Sequence, residues 1–178
     1  WVGPPWEDKP DTPVAIHIEP GLAFGTGTHE TTQGCLIMLD QIIGQRESTR
    51  IMDVGCGSGV LSIAAAQLGH QVLGVDIDPE TLDNALHNVT LNNANDSVEI
   101  QTGDAGFTHQ VFPVVVANIL APILVAEASK IAARCSGDLI LSGLLQKHRE
   151  SVLAAYDGWV LASSLEQGEW HVLHLVRR

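Results

Sequence analysis

The segment Asp53-Val54-Gly55-Cys56-Gly57-Ser58-Gly59 constrains this chain most, because it follows a short apolar run at residues 50–54 and opens a helical pattern at 59–68. Glycines at alternate positions between a strand and a helix let the main chain turn tightly and leave no Cβ between backbone and ligand. Such a turn belongs at the carboxyl edge of an α/β sheet, where a helix start also presents free N–H donors. The chain around it agrees. Apolar, β-rich runs at 50–54, 72–76, 97–102, 114–117 and 138–142 alternate with helical patterns at 59–68, 79–92, 122–134 and 146–156. That alternation predicts an α/β fold, a doubly wound, mostly parallel sheet with helices on both faces. Residues 159–163 and 169–176, with a turn at Gln167-Gly168, complete seven strands as an antiparallel hairpin. Residues 103–110 are too short and too little patterned to make a convincing helical crossover. Upstream, residues 14–19 read as a short strand, and Cys35, Leu36, Leu39, Ile42 and Ile43 share one helical face.

Spacing narrows the ligand. A dinucleotide fingerprint needs its third glycine at position 60, which is Val60, and a phosphate loop needs a lysine that is absent here. These departures disfavour a nicotinamide-dependent dehydrogenase. The pattern Asp-x-Gly-x-Gly-x-Gly instead resembles the first motif of S-adenosylmethionine-dependent methyltransferases. Asp76 ends the next strand, where a carboxylate can accept hydrogen bonds from both hydroxyls of a ribose. Asp78-Pro79 caps and starts the following helix, so Asp78 has a structural task. Asp104, at the end of the third strand, can accept from an adenine amino group, or is a solvated acid. Asn118, after 114–117, stands at the expected switch point of the sheet. Its side-chain oxygen and the Ile119 carbonyl can hold the hydrogens of an acceptor amine; a polar turn residue before a helix is the plainer reading. Ile119-Leu120 replaces the Pro-Pro-aromatic run of enzymes that methylate adenine or glutamine, which favours a flexible aliphatic amine.

Composition limits the remaining classes. The 178 residues suit a single domain, read as a Pro-rich linker over 1–13 and a catalytic domain over 14–178. Nine basic residues against 21 acids give a net charge of −12, which argues against direct nucleic-acid binding. Apolar stretches are too short for a membrane span. Cys35, Cys56 and Cys135 have no paired spacing, which fits a reducing cytoplasm and no zinc site. No metal is expected from the histidines. His171 and His174 point to opposite faces of a strand, and His17, His70, His87, His109 and His148 are scattered and read as surface residues. The chain opens on Trp1-Val2-Gly3-Pro4-Pro5 without Met or signal peptide, so it is expected to be cut from something longer.

Residues 20–32 (Pro-Gly-Leu-Ala-Phe-Gly-Thr-Gly-Thr-His-Glu-Thr-Thr), the glycine loop, Gly74-Val75-Asp76-Ile77-Asp78-Pro79 and Ala117-Asn118-Ile119-Leu120-Ala121 together resemble the PrmA family. The resemblance runs from the opening Trp-Val to Gly168-Glu169-Trp170. It implies methylation of protein eleven of the large ribosomal subunit, on lysine side chains and an N-terminal amine, with S-adenosyl-L-methionine as cofactor. It places the cofactor contacts on Thr32, Gly55, Asp76 and Asn118, with Thr26, Gly27, Thr28, Gly57 and Asp104 as neighbours. His29 is either a helix-start residue or an acceptor-facing one, and is grouped with Asn118 as a catalytic candidate. Phe24 and Trp170 offer ring faces to cationic products, although Trp170 also reads as packing. The family normally carries a separate N-terminal recruiting domain; either it lies outside this chain or this protein finds its substrate differently. A small-molecule amine methyltransferase and a non-catalytic cofactor-binding subunit remain as alternatives.

Overall fold

Period-two burial decides the architecture. Ile51, Val114, Val116, Ile140 and Val172 face one apolar layer, while their neighbours Met52, Val115, Ala117, Leu139, Leu141 and Leu173 face a second. A sheet whose strands bury both faces needs helices on each side. The computed structural model describes residues 1–21 and 27–178 and supplies them. In chain order the elements are β1 (Val2–Gly3), β2 (Ile16–His17), α1 (Glu30–Ile43), β3 (Arg50–Val54), α2 (Val60–Gln67), β4 (Gln71–Asp76), α3 (Pro79–Leu91) and β5 (Val98–Thr102). There follow β6 (Phe112–Asn118), α4 (Ala121–Ala126), α5 (Ala128–Arg134), β7 (Cys135–Leu145), α6 (Arg149–Ala155), β8 (Trp159–Gln167) and β9 (Trp170–Arg177).

The main sheet runs β5-β4-β3-β6-β7-β9-β8, parallel as far as β7 and antiparallel beyond. Chain order reverses between β3 and β6, so the crevice opens there. α1, α2 and α3 cover one face with Met38, Leu39, Ile43, Val60, Ile63 and Val89. On the other face α4, α5 and α6 bury Leu124, Ile131 and Val152, with Tyr156 just beyond α6. Each such side chain, fully buried, contributes about 1.5–3 kcal/mol. Caps fix two helix starts: Asp78 accepts from Glu80 N–H at 2.9 Å, as expected, and His29 accepts from Thr31 N–H at 3.2 Å.

Several details differ from the sequence reading. The proline-rich stretch 1–13 does not stand free of the domain, because Val2–Gly3 pairs in parallel with Ile16–His17. The expected helix 122–134 is interrupted at Glu127, whose carboxylate pairs with Lys130 at 2.7 Å. β8 runs on to Gln167, since pairing with β9 overrides the weak strand propensity of Ser-Ser-Leu-Glu-Gln. β9 lies between β7 and β8, so the hairpin doubles back before ending the sheet. His70 is not on the surface: fully buried, its ring accepts from Thr49 N–H at 3.2 Å and its other nitrogen lies 3.2 Å from the Ile43 carbonyl. His171 is buried too, whereas His174 pairs with Asp138 at 2.7 Å. The three cysteines are free and buried, and among the described residues no group of three His, Cys, Asp or Glu is placed to hold a metal. No helix among them is long and apolar enough to cross a membrane.

Candidate active site

The glycine loop turns on three left-handed backbones, with φ of +73° at Gly55, +52° at Gly57 and +80° at Gly59, a region costly for side-chain-bearing residues. It is stitched to the next strand. Gly55 and Cys56 N–H donate to the Val75 carbonyl at 2.8 and 3.1 Å, Gly57 N–H donates to Asp76 Oδ2 at 2.9 Å, and Gly59 N–H closes on the Cys56 carbonyl at 2.8 Å. These four donors are therefore spent inside the protein, ahead of the helix start at Val60. The loop serves as a close, smooth wall rather than an anion cradle.

That wall bounds a cavity of about 670 Å³ over the carboxyl ends of the strands. Thr32, Gly55, Gly57, Asp76, Asp104, Asn118 and His29 all line it, so the fold gathers seven of the sequence candidates at one place. Gly27 and Thr28 are not part of the lining, and Thr26 and Phe24 lie outside the described residues. Gly27, with φ of +93°, packs instead against the Val2 side chain.

Asp76 is held rigidly, since Oδ1 also accepts from Asp78 N–H at 3.0 Å. Each carboxylate oxygen keeps a second lone pair for a ligand hydroxyl. Asp104 accepts from Gly106 N–H at 2.7 Å and pairs with Lys130 at 2.8 Å, and the ammonium holds its carboxyl below the usual range. Thr32 is fully buried, lines the cavity, and has an Oγ1 with no hydrogen-bond partner. An unsatisfied buried hydroxyl costs about 1–3 kcal/mol. Asp53 lies beneath the loop, 1% exposed; Ser62 Oγ donates to its Oδ2 at 2.7 Å, and its Oδ1 has no partner. Burial pushes its carboxyl up to about 6.

On the other side, Asn118 ends β6 opposite Ser142, and Ile119 follows it into the cavity wall. Two glycines clamp Ile119. A Cβ on Gly55 would stand 2.3 Å from Ile119 Cγ2, and one on Gly143 would stand 2.1 Å from the Ile119 carbonyl oxygen. Gly143 has φ of +88° and sits where the β7–β9 register shifts between Leu141 and Leu144, a bulge that turns its backbone into the cavity. The sequence reading missed Gly143, although a glycine at the carboxyl end of a central strand is a usable signal. His29 caps α1, so its Nδ1 accepts and, in that state, the ring proton is on Nε2; the ring also meets Trp170 edge-on at 5.1 Å. His29 is thus the helix-start residue, and both it and Trp170 line the cavity. Ile77, Leu120 and Ile123 form an exposed apolar lip, 70%, 62% and 42% accessible. Geometrically, the site can hold an elongated polar ligand against the glycine loop and present its end to Asn118 and Ile119.

The family model described as ribosomal protein L11 methyltransferase (PrmA) matches residues 1–178. The chain is similar to the ribosomal protein L11 methyltransferase of Polynucleobacter necessarius subsp. necessarius, 40% identical over 184 residues, covering 98% of this chain and 55% of that protein. The one from Citrifermentans bemidjiense is 42% identical over 181 residues, covering 97% and 59%. The chain thus spans a little over half the length of these curated relatives. Its fold is similar to the crystal structure of ribosomal protein L11 methylase from Lactobacillus delbrueckii subsp. bulgaricus, with TM-score 0.79, 30% identity, and coverage of 92% of this chain and 85% of that one. It also shares its fold with magnesium protoporphyrin IX methyltransferase from Synechocystis PCC 6803, solved with bound SAM, at TM-score 0.67, 20% identity, and coverage of 90% and 86%.

Proposed function

The chain belongs to the PrmA family of ribosomal protein L11 methyltransferases, and from that membership we propose that it is an S-adenosylmethionine-dependent catalytic domain that N-methylates lysine side chains and the N-terminal amine of that large-subunit protein, in the cytoplasm. The observation that carries the reading is one cavity lined by the glycine loop, the pinned Asp76, the unpartnered Thr32 hydroxyl and Asn118.

These residues fit the cofactor. Gly55 and Gly57 line the cavity where a nucleoside would lie; Asp76 offers lone pairs to ribose hydroxyls; and Ile77 offers an apolar face beside it. Thr32 supplies the hydroxyl that now lacks a partner, and Asp104 borders the same wall. When bound, S-adenosylmethionine supplies an electrophilic methyl group. The protein's task is then to present a neutral amine in line. A lysine, with an ordinary pKa near 10.4, enters mostly protonated, so a proton must leave to water before the amine reacts. Asn118 Oδ1 and the Ile119 carbonyl accept the remaining hydrogens and aim the lone pair, while His29 and Trp170 border the acceptor side. Positioning of this kind provides most of the rate.

Intact-mass spectrometry of L11 incubated with cofactor and this chain, with and without the remaining portion of a full-length relative, tests the proposal; methyl increments on amines are expected. Cofactor binding without methylation of L11 in either arrangement overturns it. Asn118→Ala should lower turnover about 100-fold and shift cofactor affinity less than about threefold; unchanged turnover removes Asn118 from its role.

A further inference from the structure

α3 and its C-cap carry Asn84, Asn88 and Asn92 at four-residue spacing, on one face of the helix. They serve the extended segment running up to Pro20 as a substitute strand partner. Asn92 Oδ1 accepts from His17 N–H at 2.9 Å, Asn92 Nδ2 donates to the His17 carbonyl, and Asn84 Nδ2 reaches the Glu19 carbonyl at 3.4 Å. Asn88 differs from its neighbours. Fully buried, it accepts from Glu19 N–H through Oδ1 at 2.9 Å and donates through Nδ2 to the Ser58 carbonyl at 2.9 Å.

One of those partners belongs to the loop that lines the cavity and the other to the extended segment packed on α3. Ser58 lies within the glycine loop. Glu19 follows Ile16–His17 in the segment that Asn84 and Asn92 also hold. One turn earlier, Ala85 lies 3.6 Å from where a Cβ on Gly59 would stand, so α3 is seated directly on the loop. A carboxamide both donates and accepts, and can therefore tie a carbonyl of one segment to an N–H of the other. Removing it leaves a buried N–H and a carbonyl unsatisfied on two segments at once.

We propose that Asn88 is a positioning residue of the cofactor site: it clasps the Ser58 carbonyl of the glycine loop to the Glu19 N–H of the extended segment and so holds that loop in place. For its ligand this rests on the function proposed above; the clasp itself does not. The experiment compares Asn88→Ala with Asn92→Ala, which loosens the same extended segment without touching Ser58. Asn88→Ser replaces the alanine variant if that one fails to fold. Cofactor affinity is measured by calorimetry with S-adenosylmethionine, and amide exchange of Gly57 and Gly59 by NMR in the ligand-free protein.

Asn88→Ala should weaken cofactor binding about tenfold and speed exchange at both glycines by a similar factor, whereas Asn92→Ala should leave both within about twofold, even where the two lower Tm equally. Unchanged exchange at Gly57 and Gly59 in the Asn88 variants overturns the clasp. So does an equal acceleration in Asn92→Ala at matched Tm, which would reveal a general loss of stability. Wild-type protein that fails to bind S-adenosylmethionine overturns the functional reading instead, and the exchange data then judge the clasp alone.

Discussion

Substitution of Gly143 by alanine tests the acceptor side most directly. Two costs arise, and the structure separates them. The left-handed backbone, φ +88°, costs a side-chain-bearing residue about 1–2 kcal/mol. The new Cβ would also stand 2.1 Å from the Ile119 carbonyl oxygen, and reaching even 3.0 Å, shorter than nearly all real Cβ contacts, forces that oxygen back by 0.9 Å. Ile119 has little room to retreat, because its Cγ2 already lies against Gly55. Gly158 provides the control: its φ is +81°, and nothing lies within 4 Å of its Cβ position. Gly158→Ala should therefore lose about 1–2 kcal/mol and keep its turnover. Gly143→Ala should lose more stability and about 100-fold in turnover, since a displacement near 1 Å in a positioning group costs that much. Cofactor affinity should change less than about threefold. Denaturant unfolding, calorimetry and initial methylation rates on L11 measure the three quantities. Wild-type turnover in Gly143→Ala, with a stability loss no larger than that of Gly158→Ala, refutes the assignment of the Ile119 carbonyl to amine placement.

Thr32→Val removes the unpartnered hydroxyl, so a thermal-shift assay should show the ligand-free protein stabilised and cofactor binding weakened roughly tenfold; unchanged binding would separate Thr32 from the ligand. Asp53, whose carboxyl burial pushes up to about 6, holds a proton in the native state at pH values where the unfolded chain has lost it. Its contribution is complete below about pH 4 and disappears as pH rises through 6. Asp53→Asn should thus gain stability over wild type at pH 8, on the order of 3 kcal/mol, and little at pH 4; a gap that does not widen with pH refutes it. His29→Asn preserves a helix-capping acceptor and should keep stability and turnover within about tenfold, whereas His29→Ala loses about 1 kcal/mol of stability by denaturant unfolding. A far larger loss of turnover in the capped variant would make the imidazole itself the proton acceptor.

The cofactor side of the cavity was legible because its signals are local. Three glycines between a strand and a helix, an acid ending the next strand and an asparagine ending β6 each announce themselves within a few residues. The acceptor side depends on contacts between distant residues. Nothing around Ser142-Gly143-Leu144 reveals that a bulge against β9 turns Gly143 toward Ile119. Asn88 reads from sequence as an ordinary polar residue on an amphipathic helix, and only the fold shows it buried between two loops. His70 misled for the same reason: a polar residue after a helix reads as solvated until Thr49 and Ile43 are found to satisfy its ring. The bonds that tie Gly55, Cys56 and Gly57 to the end of β4 were likewise hidden, because β4 lies beside the loop in space rather than in sequence.

Ile119 joins the two halves of the site. Its side chain closes on Gly55, in the wall assigned to the cofactor, while its backbone closes on Gly143, beside the position assigned to the amine. A β-branched residue has restricted χ1, so a shift of the glycine loop reaches the Ile119 carbonyl through a stiff connection. This gives physical content to the departure from the Pro-Pro-aromatic pattern. Ile119 and Leu120 give a planar base or amide no ring on which to stack directly after Asn118. The exposed Leu120 and Ile123 instead offer apolar surface along which the four-carbon stem of a lysine can lie, with its amine directed inward. Selection of a flexible amine would then follow from what surrounds Asn118, with Asn118 itself serving any acceptor that carries N–H hydrogens.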